Sequence, residues 1–162
     1  MAYNIATIIW DLDGDVTVAR HMASTVKSIP KMNGKGWSIK KVVILTENLD
    51  NTTLRPVETT QIFRLQLIAG KHTDFVRIYD KRLICEAFDS WDLPTVAGVI
   101  TRTGVMPQIV AITRPVIEDK ISMVVDFTKG SWAYKMRIVA QIHYARVKVD
   151  ESQEAAIKST IY

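Results

Sequence analysis

The sequence predicts a mainly β fold of antiparallel sheet, with an N-terminal β-hairpin and a short C-terminal helix. Two observations indicate strands: short runs rich in Val, Ile, Thr and aromatic residues recur along the 162-residue chain, and Gly, Pro or Asp-containing breakers separate them. A third is one long segment, residues 131–149, that alternates for most of its length between apolar and polar residues, as a half-buried strand does. The helical pattern is confined to residues 150–158.

Length and composition predict one folded domain covering residues 1–162. Hydrophobic residues make up 48% of the chain and charged residues 23%, the ordinary balance of a globular domain. The net charge of +4, from 21 basic and 17 acidic residues, favours anionic partners without requiring one. A single cysteine, Cys85, excludes an intrachain disulfide. We expect neither a signal peptide nor a membrane-spanning segment, because no apolar run is long enough, and we expect a cytoplasmic protein.

The N-terminal hairpin is predicted from two β-rich runs, residues 5–10 and 16–19, that flank the acidic stretch 11–15. The Asp13-Gly14 pair in that stretch supplies the positive φ that a tight turn requires. Residues 20–36 contain Pro30 and two glycines, so we expect a connection there, with at most a short helical turn.

The middle of the chain predicts further strands. Residues 37–45 and 63–67 alternate apolar and polar residues, and the polar stretch 47–60 between them is typical of a long hairpin loop. Five more strands are expected at residues 75–79, 82–87, 96–102, 108–114 and 120–127, since turn signals separate these runs.

The long strand has two different faces. Its apolar face consists of Trp132, Tyr134, Met136, Ile138, Ala140, Ile142 and Tyr144, and its opposite face of Ala133, Lys135, Arg137, Val139, Gln141, His143 and Ala145. The first face can bury against a core, while the second would meet either a polyanion or water. In the helix that follows, Asp150 is a candidate N-cap, and Glu151 and Glu154 suit the first turn.

Candidate RNA-binding residues lie on the polar face of that strand. Lys135 and Arg137 would contact phosphates, and Gln141 and His143 would donate hydrogen bonds. Lys40 and Arg64, on neighbouring predicted strands, would join them. A solvated sheet face is the alternative interpretation. No metal site or cofactor is expected, because the three histidines lack the spacing of metal ligands.

One enzyme-like motif occurs in the chain. Residues 8–17 run Ile-Ile-Trp-Asp-Leu-Asp-Gly-Asp-Val-Thr, which resembles the first motif of the haloacid-dehalogenase phosphatases. The resemblance implies Asp11 as the nucleophile, Asp13 as the proton-handling group and Mg²⁺ beside them. That family also requires helices alternating with parallel strands, which this sequence does not predict, so we expect no enzymatic activity.

A second resemblance points to virus particles. Residues 14–19 resemble the second strand of the coat proteins of single-stranded RNA bacteriophages, residues 42–46 and 62–67 are similar in arrangement to the next strands, and Ile161-Tyr162 resembles their ending. The resemblance implies a sheet that carries RNA and a subunit that dimerises. Residues 71–130 have no counterpart in that family, and about a dozen residues after the last strand replace its two long helices.

Residues 138–153 are also similar to phage tail-tube and haemolysin-coregulated proteins, which stack as rings. Both resemblances imply a self-assembling structural subunit. We therefore expect a phage-like coat protein, assembled in a host cytoplasm and located in the virion, with copies of itself and RNA as partners. The basic net charge favours the coat over the tube, and the phosphatase is the third hypothesis.

Overall fold

Two antiparallel sheets form the protein. The structure, a computed structural model, describes residues 4–16, 20–30, 34–48, 61–92, 101–102, 109–128 and 132–161. Their elements in chain order are β1 (Asn4–Val16), β2 (Arg20–Ser28), β3 (Lys35–Asn48), β4 (Gln61–Ala69), β5 (Leu83–Asp92), β6 (Thr101–Arg102), β7 (Ile109–Val110), β8 (Lys120–Thr128), β9 (Trp132–Lys148) and α1 (Glu151–Ile161). The predicted fold class is confirmed: the chain is mainly β, its strands pair antiparallel, and a short helix follows the last strand.

Sheet A has three strands in the order β1-β9-β3, with the long strand β9 in the centre. β1 pairs with β9 from Asn4↔Tyr144 to Val16↔Trp132. On the other side, β3 pairs with β9 from Lys35↔Lys148 to Asn48↔Met136, with a bulge between Ile39 and Lys41. Sheet B has the order β2-β8-β4-β5-β6, and β7 also pairs with β5.

One hydrophobic core lies between the two sheets. Sheet A contributes Ile8, Trp37, Ile39, Val42, Ile44, Ile138, Ala140, Ile142 and Tyr144, and sheet B contributes Leu65, Leu67, Ala69, Ile84, Cys85, Ala87, Ile121, Met123 and Val125. The rings of Trp37 and Tyr144 stack with centroids 3.8 Å apart. Alternate residues of β9 from Ile138 to Tyr144 are buried, so the predicted apolar face of this strand is confirmed over the residues whose side chains are described.

The N-terminal pairing differs from the predicted hairpin. β1 continues through the acidic stretch as an extended strand and pairs with β9, while β2 pairs with β8 in the other sheet. The ladder places Asp11 opposite Arg137 and Asp13 opposite Lys135. Opposite charges at facing positions favour extended pairing, and this outweighs the local turn preference of Asp-Gly. Residues 17–19 of the second predicted run lie outside the described residues.

Other differences arise from sheet membership. β3 and β4 belong to different sheets, so the stretch between them is not a hairpin loop; its residues 49–60 lie outside the described part. β2 occupies the predicted connection, because an edge strand paired on one side needs few apolar residues. Of the predicted strands 96–102 and 108–114, β6 covers residues 101–102 and β7 covers residues 109–110; residues 96–100 and 108 are not described.

Residues 75–79 do not form the predicted strand. Phe75 and Val76 instead cover the outer face of sheet B, where they pack on Ile68, Leu83 and Val124. The Gln66 side chain makes the two hydrogen bonds to Val76 that a neighbouring strand would otherwise make. The Val76 N–H donates to Gln66 Oε1 at 2.9 Å, and Gln66 Nε2 donates to the Val76 carbonyl at 3.0 Å. Phe75 and Val76 therefore form a cover over sheet B, and the buried amide of Gln66 hydrogen-bonds this cover to the sheet.

The C-terminal helix is confirmed with its predicted cap. The Gln153 N–H donates to Asp150 Oδ1 at 2.8 Å, and the Asp150 N–H donates to Gln153 Oε1 at 3.2 Å, a reciprocal capping arrangement. Glu151 and Glu154 lie in the first turn, as expected. None of the side chains of α1 is buried, so the helix contributes little to the core. Within the described residues, no helix is long and apolar enough to cross a membrane.

Candidate interaction surface

The outer face of sheet A is the face turned away from the core. Because neighbouring strand residues point to opposite sides, the residues between the buried positions of β1, β9 and β3 form this face. The ladders arrange them in four rows across the three strands: Ile5-His143-Lys41, Thr7-Gln141-Val43, Ile9-Val139-Leu45 and Asp11-Arg137-Glu47. None of the described elements of the same chain pairs with the free edges of β1 or β3, apart from an isolated bridge between Trp37 and Val116.

Three of the six predicted RNA-binding residues lie on β9 in this face, and a fourth, Lys40, lies on the neighbouring strand β3. Arg137, Gln141 and His143 project from outward positions of β9, with Val139 between Arg137 and Gln141, and all three are half-buried. Lys40 lies at the bulge of β3, where it is exposed next to Lys41. Lys135 lies opposite Asp13 in the ladder, and its side chain is outside the described residues.

The sixth predicted residue, Arg64, does not belong to this face. It lies on β4 in sheet B, where its Nε donates to Glu86 Oε1 at 2.6 Å and its guanidinium sits 4.5 Å from the centre of the Phe75 ring. Gln66 Nε2 donates to the other Glu86 oxygen at 3.0 Å. Arg64 is therefore part of the contacts that hold the cover on sheet B, and the structure does not bring it together with the β9 residues.

Arg137 is neutralised on the outer face. Its Nε and one terminal nitrogen donate to the two carboxylate oxygens of Asp11 at 2.7 and 2.9 Å, a bidentate pair. The hydrogen bond from Arg137 lowers the pKa of Asp11 below its ordinary value, so the pair stays ionised at neutral pH. Arg137 therefore adds no net positive charge to this row, because Asp11 balances it.

The cationic part of the face lies at its opposite end. Lys40 and Lys41 are both exposed on β3, and no carboxylate among the described residues pairs with either of them. Lys41 lies directly opposite His143 in the ladder. The outer face is therefore positive at its Lys41 end, whereas at its opposite end the charges of Asp11 and Arg137 balance.

Sequence reasoning missed the apolar residues of this face. Ile5, Ile9 and Leu45 expose 57%, 60% and 52% of their surface. Ile9 and Leu45 flank the half-buried Val139, so one row is apolar across all three strands. The sequence feature that could have revealed them is the run from Ile5 to Trp10. It carries apolar residues on both faces, as strands that are covered on both sides do.

The phosphatase-like motif lies inside sheet A. Asp11 is in the middle of an antiparallel pairing with β9, not at the end of a parallel strand, and its carboxylate is engaged by Arg137. Glu118, an acidic residue later in the chain, pairs with Arg114 through both of its oxygens. Searching the described residues finds no group of three or more His, Cys, Asp or Glu side chains that could hold a metal ion.

The chain matches no family model, no curated protein and no solved structure. The interpretation of the outer face therefore depends on the residues of the face itself.

Proposed function

We propose that the protein is a structural coat subunit that self-assembles into a capsid and contacts packaged RNA. The observation that supports this proposal most is the exposed apolar row Ile9-Val139-Leu45 on the outer face of sheet A. Exposed apolar residues that lie side by side typically mark a contact with another molecule. A coat subunit buries such a surface against its own copies, in the virion and during assembly in the host cytoplasm.

The size of the patch fits an assembly contact. Ile5, Ile9 and Leu45 together expose roughly 300 Å² of mostly apolar surface, as large as the largest patch on many monomers. Burying it would yield roughly 7 kcal/mol of gross hydrophobic free energy per copy, most of which the loss of translational and rotational freedom cancels. A single contact would thus be weak and reversible, and a particle would gain its stability from many contacts.

RNA contact is the second part of the proposal. Lys40 and Lys41, together with Gln141 and His143, form the cationic end of the outer face and would bind phosphates. Arg64 and Arg137 contribute less than expected, because Glu86 and Asp11 already neutralise them. Binding through two lysines would weaken about tenfold between 50 and 200 mM salt.

Purification of the expressed chain tests the proposal. We expect large particles in negative-stain micrographs, high mass in light scattering, and an absorbance ratio at 260 and 280 nm that reveals host RNA. Rings without nucleic acid would favour the tube subunit instead. A monomer at all concentrations, free of nucleic acid, would contradict self-assembly altogether.

The RNA part has its own matched control. Lys40→Ala with Lys41→Ala should reduce the RNA content of the particles and flatten the salt dependence of RNA binding. Lys71→Ala with Lys81→Ala removes the same charge from exposed positions outside sheet A and should leave both unchanged. Equal losses in the two double variants would show that net charge alone, not this end of the face, holds the RNA.

A further inference from the structure

We infer that the cover of sheet B is carried by a hinged loop that opens while the sheet stays folded, and that mild acid favours the open form. The loop, residues 70–82, connects β4 to β5. Its opening would expose Ile68, Leu83 and Val124, which are at most 2% exposed beneath the cover. The inference is independent of the proposed function, because the cover lies on sheet B and the proposed assembly surface lies on sheet A.

Few contacts hold the loop in place. From residue 71 to residue 80, all of which the structure describes, no side chain is buried and no strand forms. The backbone of this segment is bound to sheet B through two side chains. Gln66 bonds to both backbone groups of Val76, and Ser122 Oγ accepts from the His72 N–H at 2.7 Å. Segments with so little burial and so few hydrogen bonds open at much lower free energy than a sheet unfolds.

Gly70 is suited to act as the hinge at the β4 end of the loop. Its φ of +94° lies in the left-handed region, which glycine enters and leaves without a steric cost. Its N–H donates to the Lys120 carbonyl at 2.8 Å, which attaches the hinge to β8. At the two ends of the loop, the Ala69 N–H donates to the Arg82 carbonyl at 2.8 Å. The ends are therefore fixed to each other, and residues 71–79 between them can move as one unit.

His72 couples the opening to protons. It is half-buried two residues after the hinge, and the charged groups that act on its imidazole are Arg82, Asp80 and Glu118. Both carboxylates are already bound by arginines, Asp80 by Arg82 at 2.7 Å and Glu118 by Arg114 at 3.1 Å. Burial and, to a smaller extent, Arg82 lower the pKa of His72 in the closed loop, so the open loop binds the proton more readily. The closed form is therefore favoured above pH 6.5 and loses ground as the pH falls below it.

Thiol labelling at low protein concentration compares the two sides of sheet B. Val124→Cys, made together with Cys85→Ala, places a thiol under the cover, whereas the native Cys85 lies between the sheets, and both positions are 0% exposed. At pH 7.5 the labelling rate of the native protein, divided by the rate in urea, should be at least about a hundredfold greater at position 124 than at Cys85. Equal ratios at the two positions would mean that the cover opens only when the sheets unfold, which would overturn the inference.

Hydrogen exchange makes the same comparison in the unsubstituted chain, so the test does not depend on how the cysteine variants fold. The Val76 N–H reports on the cover, and the Val125 N–H reports on β8, which is paired with a strand on each side. The Val76 N–H should be protected at least about a hundredfold less than the Val125 N–H. Equal protection of the two amides would contradict a separate opening of the loop.

The acid response is tested by the same exchange experiment at pH 7.5 and pH 5.5. Protection of the Val76 N–H, corrected for the intrinsic effect of pH on exchange, should be lower at pH 5.5. His72→Gln should remove most of this difference, whereas His21→Gln, which removes a histidine from β2, should leave it unchanged. Equal protection at both pH values in the wild type, or an undiminished difference in His72→Gln, would overturn the acid-favoured opening through His72.

Discussion

Ile8 and Ile9 are neighbours on β1 that face opposite sides of sheet A, and the same substitution at each should have different effects. Ile8 is 3% exposed and packs in the core, whereas Ile9 is 60% exposed. Ile8→Ala removes three buried carbon atoms, worth about 2.4 kcal/mol in transfer free energy, and adds a cavity cost. We expect a loss of about 3 kcal/mol in the free energy of unfolding. Ile9→Ala should cost about 1 kcal/mol, since most of its side chain already meets water in the single chain.

Urea unfolding followed by circular dichroism measures both effects. With a slope of about 2 kcal/mol per molar urea, the midpoint should fall by about 1.5 M for Ile8→Ala and about 0.5 M for Ile9→Ala at low protein concentration. As the protein concentration rises, the Ile9→Ala deficit should grow, because the wild type gains stability from association, while the Ile8→Ala deficit stays constant. Equal deficits for the two variants at every concentration would refute the assignment of opposite faces.

Three further predictions concern the rest of the fold. Burial and, to a smaller extent, the nearby Arg82 lower the pKa of His72 from 6.5, so the unfolded chain binds the proton more readily than the folded one. The free energy of unfolding should therefore be greatest above pH 6.5 and fall as the pH drops below it. His72→Gln should flatten that part of a pH series of thermal melts. Burial raises the pKa of the Cys85 thiol to about 12, so at pH 8 this thiol should react with a thiol reagent in urea but not in the native protein. Fast labelling of the native protein would contradict the position of Cys85 in the core. Gly36→Ala would place a Cβ 2.9 Å from the Cβ of Pro115, so it should lower the free energy of unfolding by about 1–3 kcal/mol and the melting temperature by several degrees. An unchanged melting temperature would contradict this close approach.

The alternation of β9 made its two faces predictable from the sequence. Side-chain direction in a strand depends only on residue parity, so Ile138, Ala140 and Ile142 could be assigned to the core before any partner strand was known. The helix was predictable for a similar reason, since Asp150 and Gln153 act within one turn of the backbone. Local patterns identified these elements because local geometry determines them.

Strand partners were not predictable in the same way. The Asp13-Gly14 pair favours a turn locally, yet β9 supplies facing basic residues more than 120 positions away. The role of Phe75 and Val76 likewise depends on Gln66, a polar residue that no periodic pattern marks as fully buried. Such choices depend on long-range pairing, which outweighs the local preference of a short segment.

The candidate site was predictable in part. Parity placed Arg137, Gln141 and His143 on one face, but the charge of that face depends on which strands flank it. β1 brings Asp11 to Arg137, and the partner of Arg64 is Glu86 on β5. Neither acidic partner lies on the same strand as the arginine it binds, so the sequence predicted a more basic surface than the folded chain presents.

Assembly through the outer face of sheet A is tested most directly by sedimentation velocity of the wild type, Ile9→Asp and Ile78→Asp over a range of protein concentrations. Ile9 is 60% exposed in the apolar row, and Ile78 is 72% exposed outside sheet A, so the two variants add the same charge to different surfaces. The account predicts that the wild type and Ile78→Asp assemble while Ile9→Asp does not. Assembly of all three proteins to the same extent would contradict the account.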